Sequence, residues 1–540
     1  MLFHEVMARA LADHGVDTVF GVLGDANLYM MDSFQRVTGG RYYSFSNEAG
    51  AVLAANGFAR TSGRLGVATV THGPALTNTL TALVESVRDR TPVLLVAGDT
   101  AVVDRENFQN IAQRDVVLPT GAGFEQVRSP LTAAEDVATA IRRALLERRP
   151  VVLNVPVDFQ WEDVPYRKVA PKLVEPQSVA PDPDALDAAV GVVAAARRPI
   201  VLAGRGAATP RARTALLRLA ERIGAPVATT LRGKDLFRGE RCNLDVFGTL
   251  SHDVAVETIL KSDCVIAFGA GLNKWTTAEG SLLEDKRVVH VDLDRDSINR
   301  FSPVDAGVVG DAATVADTIV EWLDRAGVSP TGFASADLAA RLASRSPADF
   351  TDRSTDETVD IRTAMLRIDE EFPADRNLVF DGGRFIFHAF TMLHCPEPSA
   401  YVHTVNFGSI GLGMGNAIGA ALGAPGRPTL LVTGDGGFML GGLAEFNTAV
   451  RHGIDLVVVL FNDNAYGAEH IQFRTKGMDP AISMFDWPDF GPVATALGGQ
   501  GFTVRNPAEL DEALAALKNR DRPVLIEIKI DPDKVSDPGH

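Results

Sequence analysis

The chain has 540 residues with 52 basic against 69 acidic side chains, a formal net charge of −17. Nucleic acid and anionic membrane surfaces are therefore not expected partners, because neither polyanion would be attracted. Hydrophobic residues at 46% and charged residues at 22% suit a soluble globular protein rather than a disordered or fibrous one.

At ~150 residues per domain, the length admits about two to four domains. The first 15 residues read as an amphipathic helix, with acidic positions and no apolar stretch long enough for a secretory signal or a membrane span. Strand-like apolar runs follow at 18–22, 66–70, 92–96 and 151–155, then at 200–203, 264–268 and 288–291, and finally at 378–380, 430–432 and 456–460. Helical patterns separate them. Such alternation predicts parallel sheets covered by helices on both faces. Residues 166–183 are Pro-rich and unpatterned, and 329–358 are rich in Ser, Ala and Asp around weak helical patterning. Read as linkers, they leave three domains at 1–165, 184–328 and 359–532. Cys242, Cys264 and Cys395 lie far apart with no metal or redox spacing, which suits a reducing, cytoplasmic setting.

The first and last domains share a layout. Residues 49–98 and 411–463 each run from a small-residue helix through a Gly-Arg turn to a strand, a helix and a second strand. Ligands of open α/β sheets sit at the carboxyl ends of strands, so two such sheets facing each other would build one cleft.

At one strand end stand Gly434, Asp435 and Gly436; the next strand delivers Asn462, Asp463 and Asn464. A Gly-rich strand-to-helix turn aims backbone N–H groups at a phosphate. An acid there would repel phosphate unless a cation lay between them. Asp435 and Asp463, with a nearby backbone carbonyl, therefore read as oxygen ligands for Mg²⁺. The alternative is an Asp-Gly β-turn and an Asn-rich loop, each common alone. Glu48 opens a helix of mostly small residues, where an acid also suits the helix dipole. Gly204-Arg205-Gly206 is a lone GxG, weak as a nucleotide signal.

With 25 residues, 437–461, between its two parts, the metal motif resembles the thiamine diphosphate signature. The stretch NEAGAVLAANGFARTSGRLGVATVTHGPALTN closely resembles the pyrimidine-domain motif of the acetolactate synthase, pyruvate decarboxylase and benzaldehyde lyase superfamily. The resemblance spans essentially the whole chain. It implies three doubly wound, mainly parallel-sheet α/β domains: pyrimidine-binding, central transhydrogenase-like and diphosphate-binding. It implies that Glu48 protonates the aminopyrimidine ring nitrogen of thiamine diphosphate, and that Asp435, Asp463 and the Ala465 carbonyl hold Mg²⁺. Gly408 would offer a carbonyl to the aminopyrimidine, and Ile410 would prop the cofactor in its V shape. Gly383, Arg384, Gly434, Gly436, Gly437, Asn464 and Tyr466 fall where related enzymes hold the cofactor. One departure stands out: the superfamily usually carries Asn where this chain has Asp463.

For the substrate side, Asp25 in LGDANL and Glu469 in DNAYGAE resemble decarboxylase acids that handle protons after carbon dioxide leaves. The His pair of pyruvate and indolepyruvate decarboxylases is missing. The corresponding ENFQNIAQR, with Phe108 and Gln109, resembles acetolactate synthase and benzaldehyde lyase. His72 occupies a strand end where many relatives carry a small residue, so its imidazole either faces the substrate or is satisfied by loop backbone. Residues 269–277, GAGLNKWTT, depart from the Arg-Phe-Asp-Asp of FAD-binding relatives, so FAD is not favoured. The expectation is a thiamine diphosphate- and Mg²⁺-dependent carboligase of acetolactate synthase type. Its substrate would be a small-molecule 2-oxo acid or aldehyde, and it would work as a homodimer at minimum, commonly a homotetramer. A non-oxidative decarboxylase or acyloin lyase is the alternative; a flavin or nicotinamide oxidoreductase and a silent regulatory subunit are remote ones.

Overall fold

A computed structural model describes residues 1–104, 106–169, 173 and 177–534. The expected linker at 166–183 falls in part on residues 170–172 and 174–176, outside the described residues.

Three six-stranded sheets follow one another along the chain. The first comprises β1 (Thr18–Gly21), β2 (Arg41–Ser44), β3 (Gly66–Val70), β4 (Val93–Asp99), β5 (Gly123–Gln126) and β6 (Val151–Pro156), in the order β2-β1-β3-β4-β6-β5. The second comprises β7 (Pro199–Ala203), β8 (Val227–Thr229), β9 (Asn243–Val246), β10 (Cys264–Phe268), β11 (Arg287–Asp292) and β12 (Ala306–Val309), in the order β12-β11-β10-β7-β8-β9. The third comprises β13 (Asn377–Phe380), β14 (Tyr401–His403), β15 (Thr429–Gly434), β16 (Leu456–Asn462), β17 (Gln500–Val504) and β18 (Val524–Lys529), in the order β14-β13-β15-β16-β18-β17. Counted from its own first strand, the third sheet repeats the order of the first. The shared layout of residues 49–98 and 411–463 thus extends to the whole sheet.

Central strands such as β4, β10 and β16 pair in parallel on both sides. Their Val, Leu, Ile and Ala side chains are buried on both faces, which explains why they read as unbroken apolar runs.

Two compact bodies result, one built on the first and third sheets and the other on the second. In the first body, the helix Glu48–Ser62 lies along the helix Gly413–Gly423. Small residues permit this approach: a Cβ on Gly57 would overlap the Asn416 carbonyl, and one on Gly419 would overlap that of Ala54. Asn56 seals the crossing with a buried 2.9 Å bond from its amide to Asn416 Oδ1. Around it, Phe20, Val52, Phe58, Met414, Ile418, Phe438 and Phe446 form one apolar core shared by both halves.

In the second body, Gly204 and Gly206 follow β7. A Cβ on Gly204 would overlap the Gly269 carbonyl, and one on Gly206 would come within 2.8 Å of Gly269 Cα. The GxG signal therefore serves backbone packing between the turns after β7 and β10. The 329–358 stretch contains one helix, Ala336–Ala343. Among the described residues, no helix is long and apolar enough to cross a membrane.

Candidate active site

Asp435 is the first residue past β15, and Asp463 the first past β16, a strand paired directly to β15. Asp435 Oδ1 accepts the Gly436 N–H at 2.8 Å, and Asp463 Oδ1 accepts the Ala465 N–H at 3.1 Å. Burial, reinforced by the neighbouring Asp463 charge, pushes Asp435 up to about 7; burial pushes Asp463 up to about 6, against the pull of Arg384 and His470. A cation beside two such carboxylates would favour their ionised forms. Asp435 Oδ2 and Asn464 Oδ1 are buried with no hydrogen-bond partner, so oxygens remain to coordinate one. Among the described residues, no group of three or more His, Cys, Asp or Glu side chains converges as a metal cage. A cation held here would complete its shell from backbone carbonyls, water or ligand oxygens, as Mg²⁺ commonly does.

The surrounding residues crowd this turn. A Cβ on Gly436 would stand 2.7 Å from the Tyr466 ring and 3.9 Å from Ile410 Cδ1. A Cβ on Gly467 would stand 2.5 Å from Asp463 Oδ2 and 3.7 Å from Arg384 Cβ. Gly382 abuts Ile410 Cγ2 in the same way, at 3.1 Å. The structure thus gathers Arg384, Ile410, Gly436, Asp463 and Tyr466 around the Asp435 turn. Gly383 and Gly408 lie in the same two segments, both at positive φ, and Gly434 and Gly437 flank the turn itself. Arg384 donates from Nη1 to the Pro532 carbonyl at 2.8 Å.

Sequence reasoning missed Asp381. It is the first residue past β13, is 2% exposed, and accepts the N–H groups of Gly382, Gly411 and Leu412 at 2.8, 3.0 and 3.2 Å and the Thr433 hydroxyl at 3.1 Å. One side chain thereby ties the 382–384 turn, the 408–412 loop and β15 together. Burial raises its proton affinity, so these donors are what make the carboxylate tolerable. An acid at a strand end before two glycines was the available signal.

On the pyrimidine side, Glu48 begins its helix behind Asn47, whose side chain caps it by accepting the Ala49 N–H at 2.8 Å. Glu48 Oε2 accepts the Asn78 amide at 3.0 Å. His72 is 1% exposed; its Nε2 lies 3.7 Å from Asp25 Oδ2, and Asp25 Oδ1 accepts the Thr71 hydroxyl at 3.0 Å. Gly73 adopts positive φ at +58°, and a Cβ there would overlap the Gln109 carbonyl. Asp25, His72 and Gln109 are thus neighbours. A second residue missed by the sequence reading, Gln113, accepts the Gly73 N–H at 2.8 Å and donates to the Gly98 carbonyl at 2.8 Å, fixing this corner; nothing in its sequence context marks it. Glu469 is exposed on the helix Gly467–Thr475, and the structure does not bring it into the Asp25 group.

Two like-ordered sheets, one with an acid-headed small-residue helix and one with an acid pair at adjacent strand ends, define the thiamine diphosphate class of enzymes. Three family models bear this out: the thiamine pyrophosphate enzyme N-terminal binding domain over residues 1–117, the central domain over 186–319 and the C-terminal binding domain over 381–528. The chain belongs to this family. Among its relatives, a probable 2-ketoarginine decarboxylase of Pseudomonas aeruginosa is 30% identical over 94% of this chain and 90% of its own. A sulfoacetaldehyde acetyltransferase of Rhodobacter capsulatus is 28% identical over 95% and 91%. An acetolactate synthase large subunit of Haemophilus influenzae is 25% identical over 98% and 94%. The chain is accordingly a thiamine diphosphate-dependent enzyme of the acetolactate synthase, decarboxylase and acetyltransferase group.

Proposed function

We propose that the protein is a Mg²⁺- and thiamine diphosphate-dependent carboligase of acetolactate synthase type. It would take a small 2-oxo acid or aldehyde and join the retained fragment to a second carbonyl. When bound, thiamine diphosphate supplies the electron sink for cleaving and forming a bond beside a carbonyl. Glu48 would protonate the aminopyrimidine ring, with Asn78 fixing the orientation of its carboxyl. Asp435, Asp463 and the Ala465 carbonyl would hold Mg²⁺, and the unpartnered Oδ2 of Asp435 is the observation that carries this part of the reading. Ile410 and Gly408 would seat the cofactor, and Gly383, Arg384, Gly434, Gly436, Gly437, Asn464 and Tyr466 would line the diphosphate.

For the reaction's outcome, Phe108 and Gln109, standing where pyruvate decarboxylases carry a His pair, support ligation, because a neutral amide does not replace the acid of that pair; the Gln109 backbone carbonyl lies against Gly73, next to His72. A decarboxylase is the second reading, favoured by Asp25 and His72, an acid and an imidazole within 3.7 Å at the same corner. Together they could deliver a proton. Supplying pyruvate, benzoylformate and 2-ketoarginine in turn and identifying the products by mass spectrometry separates the two. An acyloin or 2-hydroxy acid is expected, and aldehyde as sole product from every substrate would replace the first reading with the second.

A homodimer as the smallest working unit, and a homotetramer as a common assembly, rests on the resemblance to enzymes in which the pyrimidine and diphosphate halves of one chain face those of a partner; Glu48 itself bonds to Asn78 in its own half. A cytoplasmic setting, without nucleic-acid or membrane partners, accords with the −17 charge and three unbridged cysteines. Light scattering of an active monomer would overturn the assembly reading.

A further inference from the structure

Glu85 and Glu445 are 0% and 1% exposed, and the chemistry above uses neither. Each reaches out of its own half of the first body into the other. Glu85, on the helix Leu80–Arg88 between β3 and β4, accepts the Asn406 N–H at 3.1 Å, the Asn406 side-chain amide at 2.5 Å and the Phe407 N–H at 2.8 Å. Those residues lead directly into Gly408, Ser409 and Ile410. Glu445, on the helix Leu443–Arg451 between β15 and β16, accepts the Ser46 N–H at 3.2 Å and the Asn47 N–H at 2.9 Å. Those two lead directly into Glu48.

An arginine near the end of each helix grips the same loop. Arg88 donates to the Asn406 carbonyl at 3.2 Å and lies 4.7 Å over the Phe407 ring. Arg451 donates to the Ser44 hydroxyl at 2.9 Å and the Ser44 carbonyl at 3.1 Å. The two helices hold equivalent places in sheets of identical strand order. Burial raises the proton affinity of both acids, and their hydrogen-bond donors pull it back down, the Asn406 side-chain amide foremost on Glu85 and the Thr448 hydroxyl foremost on Glu445, followed by the backbone N–H groups. Apolar side chains would fill these positions without that desolvation cost. What a carboxylate adds is several charge-assisted hydrogen bonds to backbone within two residues of a cofactor-contacting group.

We propose that Glu85 and Glu445 are crosswise positioning residues. Glu85, with Arg88, holds the Gly408–Ser409–Ile410 seat from the pyrimidine half, and Glu445, with Arg451, holds the Glu48 activator from the diphosphate half. The inference rests on the roles proposed above for Glu48 and the 408–410 segment. It implies that neither loop takes its working shape until the two halves have packed, and that the two acids fail differently. Loosening the seat weakens cofactor binding. Displacing Glu48 leaves the cofactor bound but slows its activation.

The test uses full-length Glu85→Gln, Glu445→Gln, Arg88→Ala and Arg451→Ala with thiamine diphosphate and Mg²⁺. Four quantities are read: cofactor Kd by calorimetry, hydrogen–deuterium exchange at the thiazolium carbon by NMR, kcat and KM, and the melting temperature without cofactor. Glu48→Gln serves as the reference for exchange. Removing hydrogen bonds to a charged group should raise the cofactor Kd of Glu85→Gln about tenfold or more, and that of Arg88→Ala in the same direction. Glu445→Gln and Arg451→Ala should keep cofactor Kd within about threefold while slowing exchange about tenfold or more, the same signature as Glu48→Gln. Variants that only lower the melting temperature, with Kd and exchange unchanged, would overturn the proposal. If a glutamine variant does not fold, the exposed Arg88 and Arg451 substitutions decide the matter by the same two readouts. Exchange unaffected in Glu48→Gln would sink the Glu48 assignment and the Glu445 arm with it. Normal exchange in Glu445→Gln beside abolished exchange in Glu48→Gln would sink the Glu445 arm alone.

Discussion

Asp435 and Asp463, at the carboxyl ends of two paired strands, stand close enough that the charge of one raises the proton affinity of the other. A cation between them would turn this mutual repulsion into binding, and the same repulsion sets how that binding responds to pH. With Asp435 lifted to about 7 and Asp463 to about 6, protons compete for the pair as pH falls through that range.

Mg²⁺ affinity should therefore drop steadily from pH 8 to pH 5.5, because a protonated carboxyl does not coordinate a cation. Calorimetric titration across that range checks it; flat affinity would mean the pair is not the ligand set. Asp463→Asn should keep Mg²⁺ binding and shift its loss to lower pH, since removing one charge relieves the repulsion on Asp435. Asp435→Ala should abolish binding.

Glu48→Gln should reduce turnover by about 10²- to 10⁴-fold, the usual weight of a general acid. Cofactor binding should persist, because the diphosphate-side residues are untouched. Calorimetry beside steady-state kinetics reads both. Full turnover in the variant would remove Glu48 from the mechanism.

Asp25→Asn and His72→Ala should alter what is made more than whether the substrate reacts. If this pair supplies the proton that releases aldehyde, the ratio of ligated product to aldehyde should rise, by about tenfold for Asp25→Asn. Product ratios measured with a single 2-oxo acid give the answer, and an unchanged ratio with lowered rate would assign the pair a structural role.

Gly57→Ala and Gly419→Ala probe the crossing of the helices Glu48–Ser62 and Gly413–Gly423. Each would drive a methyl group into a facing carbonyl, an overpacking that typically costs ~1–3 kcal/mol or more. A fall in denaturation midpoint is expected for both. Wild-type stability would show that the helices can part at no cost.

His252 gives the second body an acid-sensitive point. It caps the helix Asp253–Lys261 by accepting the Ala255 N–H at 3.1 Å, and burial, then the Arg345 charge, pull its pKa down to about 3. The folded protein binds this proton less tightly than an unfolded chain does. Its contribution to stability is therefore present above the ordinary value of 6.5 and lost as pH falls toward 3. Urea midpoints should decline over that range, and less steeply in His252→Asn, which keeps a cap acceptor that does not titrate. Equal slopes would count against the assignment.

Much of the candidate site was legible because its signals are local. The Gly434–Asp435–Gly436 turn, the Asn462–Asp463–Asn464 strand end and the acid heading a small-residue helix each lie within a few residues, and their chemistry follows from residue type. Central strands such as β4 and β16 were legible for a related reason: burial on both faces leaves continuous apolar runs. Edge and short strands such as β5, β9 and β14 were not, since half their residues face water or their runs are only three or four residues long. Asp381 and Gln113 escaped because their partners are backbone N–H groups, which carry no residue-type signature. Glu85 and Glu445 escaped because each answers to a loop more than 300 residues away.

The sequence by itself determined the alternating α/β plan, the duplicated layout and the acid pair at two strand ends. Periodicity and charge are properties of short segments, and they survive without knowledge of the fold. Only the tertiary structure decided that the two duplicated sheets share one strand order, and that Ile410, Tyr466 and Arg384 close on the Asp435 turn. It also decided that the GxG of the second body serves backbone packing and that buried acids reach across between the halves. Those relationships depend on distances between residues far apart in the chain, which close packing sets and local patterning does not encode.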